Sequence, residues 1–176
     1  MSGGTPTVRG NTFSAPTSIV TSIPYSLTTI SGNTYSHENP QIEIAGTVND
    51  EATLSIVDGL YRYTLTGNLT IPADTTLTVA PGVEIYTSSY NYDIRVYGTM
   101  NATGATFTGY ANYFEVFVHD GGRLNLTDCT SLSGNIRYYT GSSGAVTGCS
   151  LNRLYMSGGT PTVSGNTFSA STPIVT

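Results

Sequence analysis

The chain has 176 residues and a net charge of −5, with 10% charged side chains and six Lys+Arg, all of them Arg, but 30 Thr, 20 Gly and 13 Tyr. Without a basic cluster it is not built for nucleic acid or an anionic membrane surface, and no apolar run approaches the roughly 20 residues of a spanning helix. The prevalence of Thr, Val, Ile and Tyr predicts an all-β chain forming a single unit over 1–176.

The first element already repeats. Met1 to Thr21 reads MSGGTPTVRGNTFSAPTSIVT and Met156 to Thr176 reads MSGGTPTVSGNTFSASTPIVT, differing only at Arg9/Ser164, Pro16/Ser171 and Ser18/Pro173, an offset of 156 − 1 = 155 residues. Convergence on a turn motif does not preserve filler residues, so the sequence reads as one 155-residue period of a tandem array plus a 21-residue overlap. Met1 then corresponds to an internal residue and is not expected to be a natural start, and a missing leader says nothing about export.

A shorter rhythm runs inside this period. Brief alternating openings occur at Ile19-Val-Thr, Gln41-Ile-Glu-Ile, Leu69-Thr-Ile, Ile94-Arg-Val, Val116-Phe-Val, Ile136-Arg-Tyr, Leu154-Tyr-Met and Ile174-Val-Thr. Seven openings fill the period, about 22 residues each, which is the length of a solenoid coil. Corners of the type Gly10-Asn-Thr-Phe13 recur at Gly32, Gly104, Asp128, Gly148 and Gly165. There Gly or Asp permits an unusual backbone, and Thr and an inward side chain follow. Period-two alternation predicts strands. The span from about Asp50 to Asp93 is poorly phased, and the Tyr-rich stretch ending at Asn91-Tyr-Asp is expected to bulge out.

The stretch from Leu65 to Tyr86, LTGNLTIPADTTLTVAPGVEIY, resembles a segment of extracellular right-handed parallel β-helix proteins of the pectate-lyase-like class. The resemblance implies a right-handed parallel β-helix of seven to eight coils with three sheets per coil, and secretion or surface display. The enzymatic members of that class act on polysaccharides through clustered acids beside Arg or Lys. Here the acids are scattered and Lys is absent. The one compact trio, Glu115, His119 and Asp120, reads as a solvated edge, so no catalytic residues are expected.

Alternation places Ile94, Val116, Ile136 and Leu154 inside, followed by Val96, Val118, Tyr138 and Met156. The outward residues are then Arg95, Phe117, Arg137 and Tyr155, with Tyr97, His119 and Tyr139 beside them. With coils about 4.8 Å apart, these form an Arg/aromatic strip suited to lateral contact or sugar binding. Cys129 and Cys149 share the corner phase and stack, as a disulfide or as paired thiols. Asn68, Asn101 and Asn125 head Asn-x-Thr triplets that an exporting cell could glycosylate. Asp120-Gly-Gly is a lone turn, not a calcium array, and the Thr-x-Thr pairs lack the shared register of an ice-binding face. No metal or cofactor is expected.

Solenoid ends expose raw sheet edges unless capped, and neither end carries a cap. Met1, Val8, Phe13, Val163, Phe168 and Ile174 are therefore expected at end-to-end contacts. The leading expectation is the building block of an extracellular fibre or cell-surface array, with neighbouring repeats or identical chains as partner. A carbohydrate-binding or adhesive module using the strip comes second, and a degenerate polysaccharide lyase or hydrolase third.

Overall fold

The fold is set by eight corners, all of which carry a backbone that most residues avoid. In the computed structural model, which describes residues 7–21 and 29–176, φ lies between 52° and 79° at Gly10, Gly32, Asp58, Gly82, Gly104, Asp128, Gly148 and Gly165. Glycine adopts this left-handed region freely, and Asp tolerates it by bonding locally. Each corner turns the chain so that the next strand lies on the previous coil, giving a parallel β-solenoid of about seven turns with about 22-residue spacing. Gly10 and Gly165 are the two copies of one duplicated position, and they stand at opposite ends of the same corner series.

Among the described residues all named strand pairings are parallel, gathered in an eleven-stranded sheet, a six-stranded sheet and two two-stranded pairs. The only antiparallel bridges among them, Val57 to Leu60 and Tyr139 to Gly158, are isolated. In the large sheet Leu69, Ile94, Val116, Ile136, Leu154 and Ile174 lie directly over one another, as the alternation predicts. In the six-stranded sheet Leu77, Met100 and Leu124 stack, with Val79, Ala102, Leu126, Val146 and Val163 beside them. These ladders face one another across a dry interior, and Ile94, Val96, Val118, Leu124 and Val146 are fully buried.

Two expectations of phase are corrected. Ile19 pairs with Ile42, and Ile42 with Tyr63, so the first two openings stand on the ladder of Tyr63, Ile85 and Phe107 and not beneath Leu69. The cause is local. The strand Gln41–Thr47 shifts register between Ile44 and Gly46, and Arg62–Ile71 is long enough to carry both ladders, with Tyr63 on one and Leu69 on the other. Met156 is only half-buried, whereas Tyr138 below it is fully enclosed. The Tyr-rich stretch does project between Thr87 and Ile94, with Tyr90 60% exposed.

Size is matched across the interior at Tyr138. Its hydroxyl donates to the Leu124 carbonyl at 3.0 Å. Gly144 packs against the same carbonyl, at φ +138°, where an added Cβ would lie 1.9 Å from that oxygen. A bulky phenol in one sheet is thus accommodated by a bare backbone in the other.

The corners are joined by hydrogen bonds from one coil to the next. Oδ1 of Asn33 accepts the Asn11 N–H at 3.0 Å, and the Asp58 carboxylate accepts the N–H groups of Gly32 and Asn33, both at 2.7 Å. Further up, Sγ of Cys149 accepts the Cys129 N–H at 3.3 Å and Oδ1 of Asn166 accepts that of Cys149 at 2.8 Å. Partial desolvation alone would raise the Asp58 carboxyl, but the Asn33 N–H and amide and the Gly32 N–H outweigh it and hold it below the usual range.

Because the folded Asp58 carboxyl is the stronger acid, its contribution to stability is complete above the unfolded carboxyl value of about 4 and is lost as pH falls through the lower folded value. Asp58→Asn should therefore cost about 1 kcal/mol at pH 7, a modest figure for a solvent-screened corner. The gap between wild type and variant should narrow as the pH falls below the unfolded carboxyl value of about 4, as read by urea unfolding; a gap that widens on acidification contradicts the corner role.

Candidate functional site

The strip is built by register. Arg95 pairs with Phe117, Phe117 with Arg137 and Arg137 with Tyr155, so four coils place these outward side chains in one column. Two residues further along, Tyr97, His119 and Tyr139 form a second column. The Tyr97 and His119 rings lie 4.3 Å apart and within 7° of parallel, and His119 and Tyr139 lie 5.4 Å apart at 23°. Phe117 sits against both, 6.4 Å from His119 and 6.3 Å from Tyr139. All seven residues expected for the strip are thus on one face, five of them, Arg95, Tyr97, Phe117, His119 and Tyr139, around a shallow depression of about 220 Å³. Phe117 is less exposed than expected, half-buried by these neighbours.

The cations of the strip are neutralised within it. Arg137 reaches Glu115 at 3.3 Å while its guanidinium lies 3.9 Å from the Tyr155 ring centre. Glu115 is 7% exposed and also accepts from the Asn135 amide at 3.1 Å. Arg95 meets Asp93 at 3.5 Å. Burial raises the Asp93 carboxyl despite that pairing. Tyr113 is pushed up to about 12, first by burial and then by Glu115. Exposed Tyr155 is shifted the other way, chiefly by the Arg153 guanidinium that donates to its hydroxyl at 2.9 Å. The face offers flat rings and little net charge.

His119 differs from its neighbours because its Nε2 is enclosed and has no hydrogen-bond partner among the described residues. Burial, helped by Arg95, holds its pKa below the ordinary value, which favours the neutral ring suited to stacking. The solvated edge expected of Glu115, His119 and Asp120 is corrected: Glu115 is buried and bound to Arg137 and Asn135, His119 is half-buried and stacked between tyrosines, and Asp120 alone of the three is exposed, in the following turn. Asp120 instead lines a second depression of about 530 Å³ with Asp74, Thr76, Tyr97 and Thr99. That groove was not legible in sequence, since Asp74 and Asp120 are 46 residues apart and only the coil stacking brings them together. Arg153 and Tyr113 were also missed, although each interacts with a residue only two positions along, Tyr155 and Glu115.

Cys129 and Cys149 stack as expected and are free thiols, which corrects the disulfide alternative. In-register Cβ vectors point the same way, so each sulfur bonds to backbone: Cys129 to the carbonyls of Ala102 and Thr127, and Cys149 to that of Thr147. The two thiols split in acidity. The side-chain contact between them, with burial, raises Cys129, whereas that contact and the Cys129 N–H lower Cys149 to about 7.

The glycosylation candidates are half-buried and engaged. Asn68 accepts the Asp93 N–H at 3.0 Å, and Asn125, through the nitrogen a glycan would take, donates to Asn101 at 2.8 Å. Of the end-contact candidates, Met1 lies outside the described residues. Val8, Phe13, Val163 and Phe168 are half-buried, and Ile174 is 41% exposed where Leu154 below it is fully buried. Among the described residues no group of acids, Cys and His is arranged to hold a metal, and no helix is long and apolar enough to cross a membrane.

Fold and site together define a parallel β-solenoid with an aromatic face whose arginines are paired with carboxylates. No family model matches the chain, and no curated protein or solved structure matches it either.

Thiol titration tests the corner pair. The folded protein should react slowly with an aromatic disulfide reagent, because both cysteines are buried, and release two equivalents once unfolded. A native mass lower by two hydrogens would mean a disulfide.

Proposed function

We propose that this chain is the structural repeat unit of an extracellular or cell-surface β-solenoid, resembling the pectate-lyase-like β-helices in fold without their catalytic clusters. The observation that carries this reading is the match between two periods. The sequence repeats after 155 residues, and over the same interval the corner series advances by seven coils, from Gly10 to Gly165, with φ of 66° and 64° at its ends. A repeat equal to a whole number of coils keeps successive units in phase, so they stack coaxially with no kink at the junction. Each unit adds about 7 × 4.8, or about 34 Å.

The half-exposed apolar residues Val163, Phe168 and Ile174 favour this reading, because their equivalents one coil below, Val146, Leu151 and Leu154, are buried by the coil above them. Lengthening the 176-residue protein by one further 155-residue period, to 176 + 155 = 331 residues, should give a single straight two-period rod whose maximum dimension in X-ray scattering is greater by about 34 Å. Two beads on a flexible joint would refute the in-phase repeat.

A second reading is favoured by the parallel rings of Tyr97, His119 and Tyr139, which suit the apolar face of a neutral sugar. If the face binds glycans, Tyr139→Ala should weaken binding to a neutral oligosaccharide array by about tenfold, on the order of 1.4 kcal/mol, without shifting the melting temperature. Equal binding by wild type and variant removes this reading.

A further inference from the structure

Where the side chain of one corner accepts a backbone N–H of another, the bond runs forward along the coils. Asn11 N–H goes to Asn33, Asn33 N–H to Asp58, Cys129 N–H to Cys149 and Cys149 N–H to Asn166, each from one corner to the side chain of the next. The backbone follows the same polarity. Gly104, Asp128 and Gly148 donate to the carbonyls of Thr127, Thr147 and Ser164, each the residue just before the next corner. In return Thr34, Thr130, Ser150 and Thr167 donate back to Asn11, Ala105, Cys129 and Cys149. A coil is therefore a directional connector, with forward donors on one side and matching acceptors on the other.

The upper side of the Gly165 corner and the lower side of the Gly10 corner belong to the two copies of one segment, Gly-Asn-Thr-Phe. Asn11 donates through Nδ2 to the Arg9 carbonyl and to Asn33, while its Oδ1 has no hydrogen-bond partner among the described residues. Val8 and Phe13 are half-buried on their side, as are Val163 and Phe168 on theirs.

We infer that the coil around Gly165 docks head to tail on the coil around Gly10 of a second copy of this chain. Extending the observed register, Gly165 N–H meets the Arg9 carbonyl, Asn166 N–H meets Asn11 Oδ1, and Thr12 N–H returns to the Asn166 carbonyl. Phe168 then covers Phe13 and Val163 covers Val8, as Phe13 and Tyr35 already stack at 5.5 Å and 12° inside the chain. The two faces differ, so the contact does not close on itself, and the product is a polar filament. This inference rests on the repeat-unit reading and adds non-covalent continuity between chains.

Directional cross-linking tests it. Ser14 and Ser169 are exposed and each follows the stacked Phe, so docking sets them one coil apart, within disulfide reach. Two separately tagged variants, Ser14→Cys and Ser169→Cys, are mixed under mild oxidation, their native cysteines being buried. The expected product is the mixed dimer joining position 14 of one chain to position 169 of the other, in at least tenfold excess over either symmetric dimer. The double variant should give a ladder of oligomers. Symmetric dimers in equal yield, or no cross-link in either experiment, would overturn the inference. The two-period rod does not depend on this contact, so a lengthened rod without cross-linking would leave covalent continuity standing and remove end-to-end docking alone.

Discussion

Everything in this molecule depends on coils lying in register, and register depends on corners where the backbone takes a positive φ. A residue displaced by one position along a strand would carry its side chain from the interior to the surface and invert the whole coil. The corners prevent that slip. Their glycines remove the steric cost of the turn, and the side chains of Asn33, Asp58, Cys149 and Asn166 receive the N–H of the preceding corner, so the turn is locked by its neighbour and not by itself. With the corners locked, like stacks on like: aliphatic ladders inside, and outside the amide pair of Asn101 and Asn125 or the rings of Tyr97, His119 and Tyr139.

The outer face follows from the same constraint. In a stack of coils about 4.8 Å apart, an arginine on a sheet face has neighbouring coils within reach, and the guanidiniums of Arg62, Arg95 and Arg137 each lie against a carboxylate, a ring or both. Arg137 does both, between Glu115 and Tyr155, and Arg62 repeats the arrangement elsewhere, 2.7 Å from Glu84 and 5.3 Å from the Tyr86 ring. Charge is consumed in holding the stack, and what remains for contact is aromatic surface. The same economy explains His119: a neutral imidazole can sit between two tyrosines at stacking distance, whereas a charged one would leave its enclosed Nε2–H without an acceptor among the described residues and close to Arg95.

Much of this was legible in the residues. The alternation that begins at Ile94 placed the inward and outward sets of four coils correctly except at Met156, because each opening carries an unbroken apolar/polar alternation. Ile19 and Ile42 were assigned to the wrong ladder because the Val57 to Leu60 bridge and the register shift after Ile44 add length that no local pattern announces. Phe117 looked exposed because alternation reports only which way a side chain leaves the strand, and its burial comes from His119 two residues along the same coil and Tyr139 on the next. Asp74 and Asp120 carried no signal as a pair, since each reads alone as a turn residue.

Sequence by itself determined the coil, its length and the number of coils in a repeat, because these are written as a recurring order of turn residue, β-branched residue and alternation, which is local information. Tertiary structure alone decided which ladder each strand joins, how Arg62, Arg95 and Arg137 are neutralised, that the two cysteines remain thiols, and that the side chain of one corner accepts the N–H of the corner before it. Those outcomes turn on distances between residues about 22 positions apart, and such distances exist only once one coil has been laid on another.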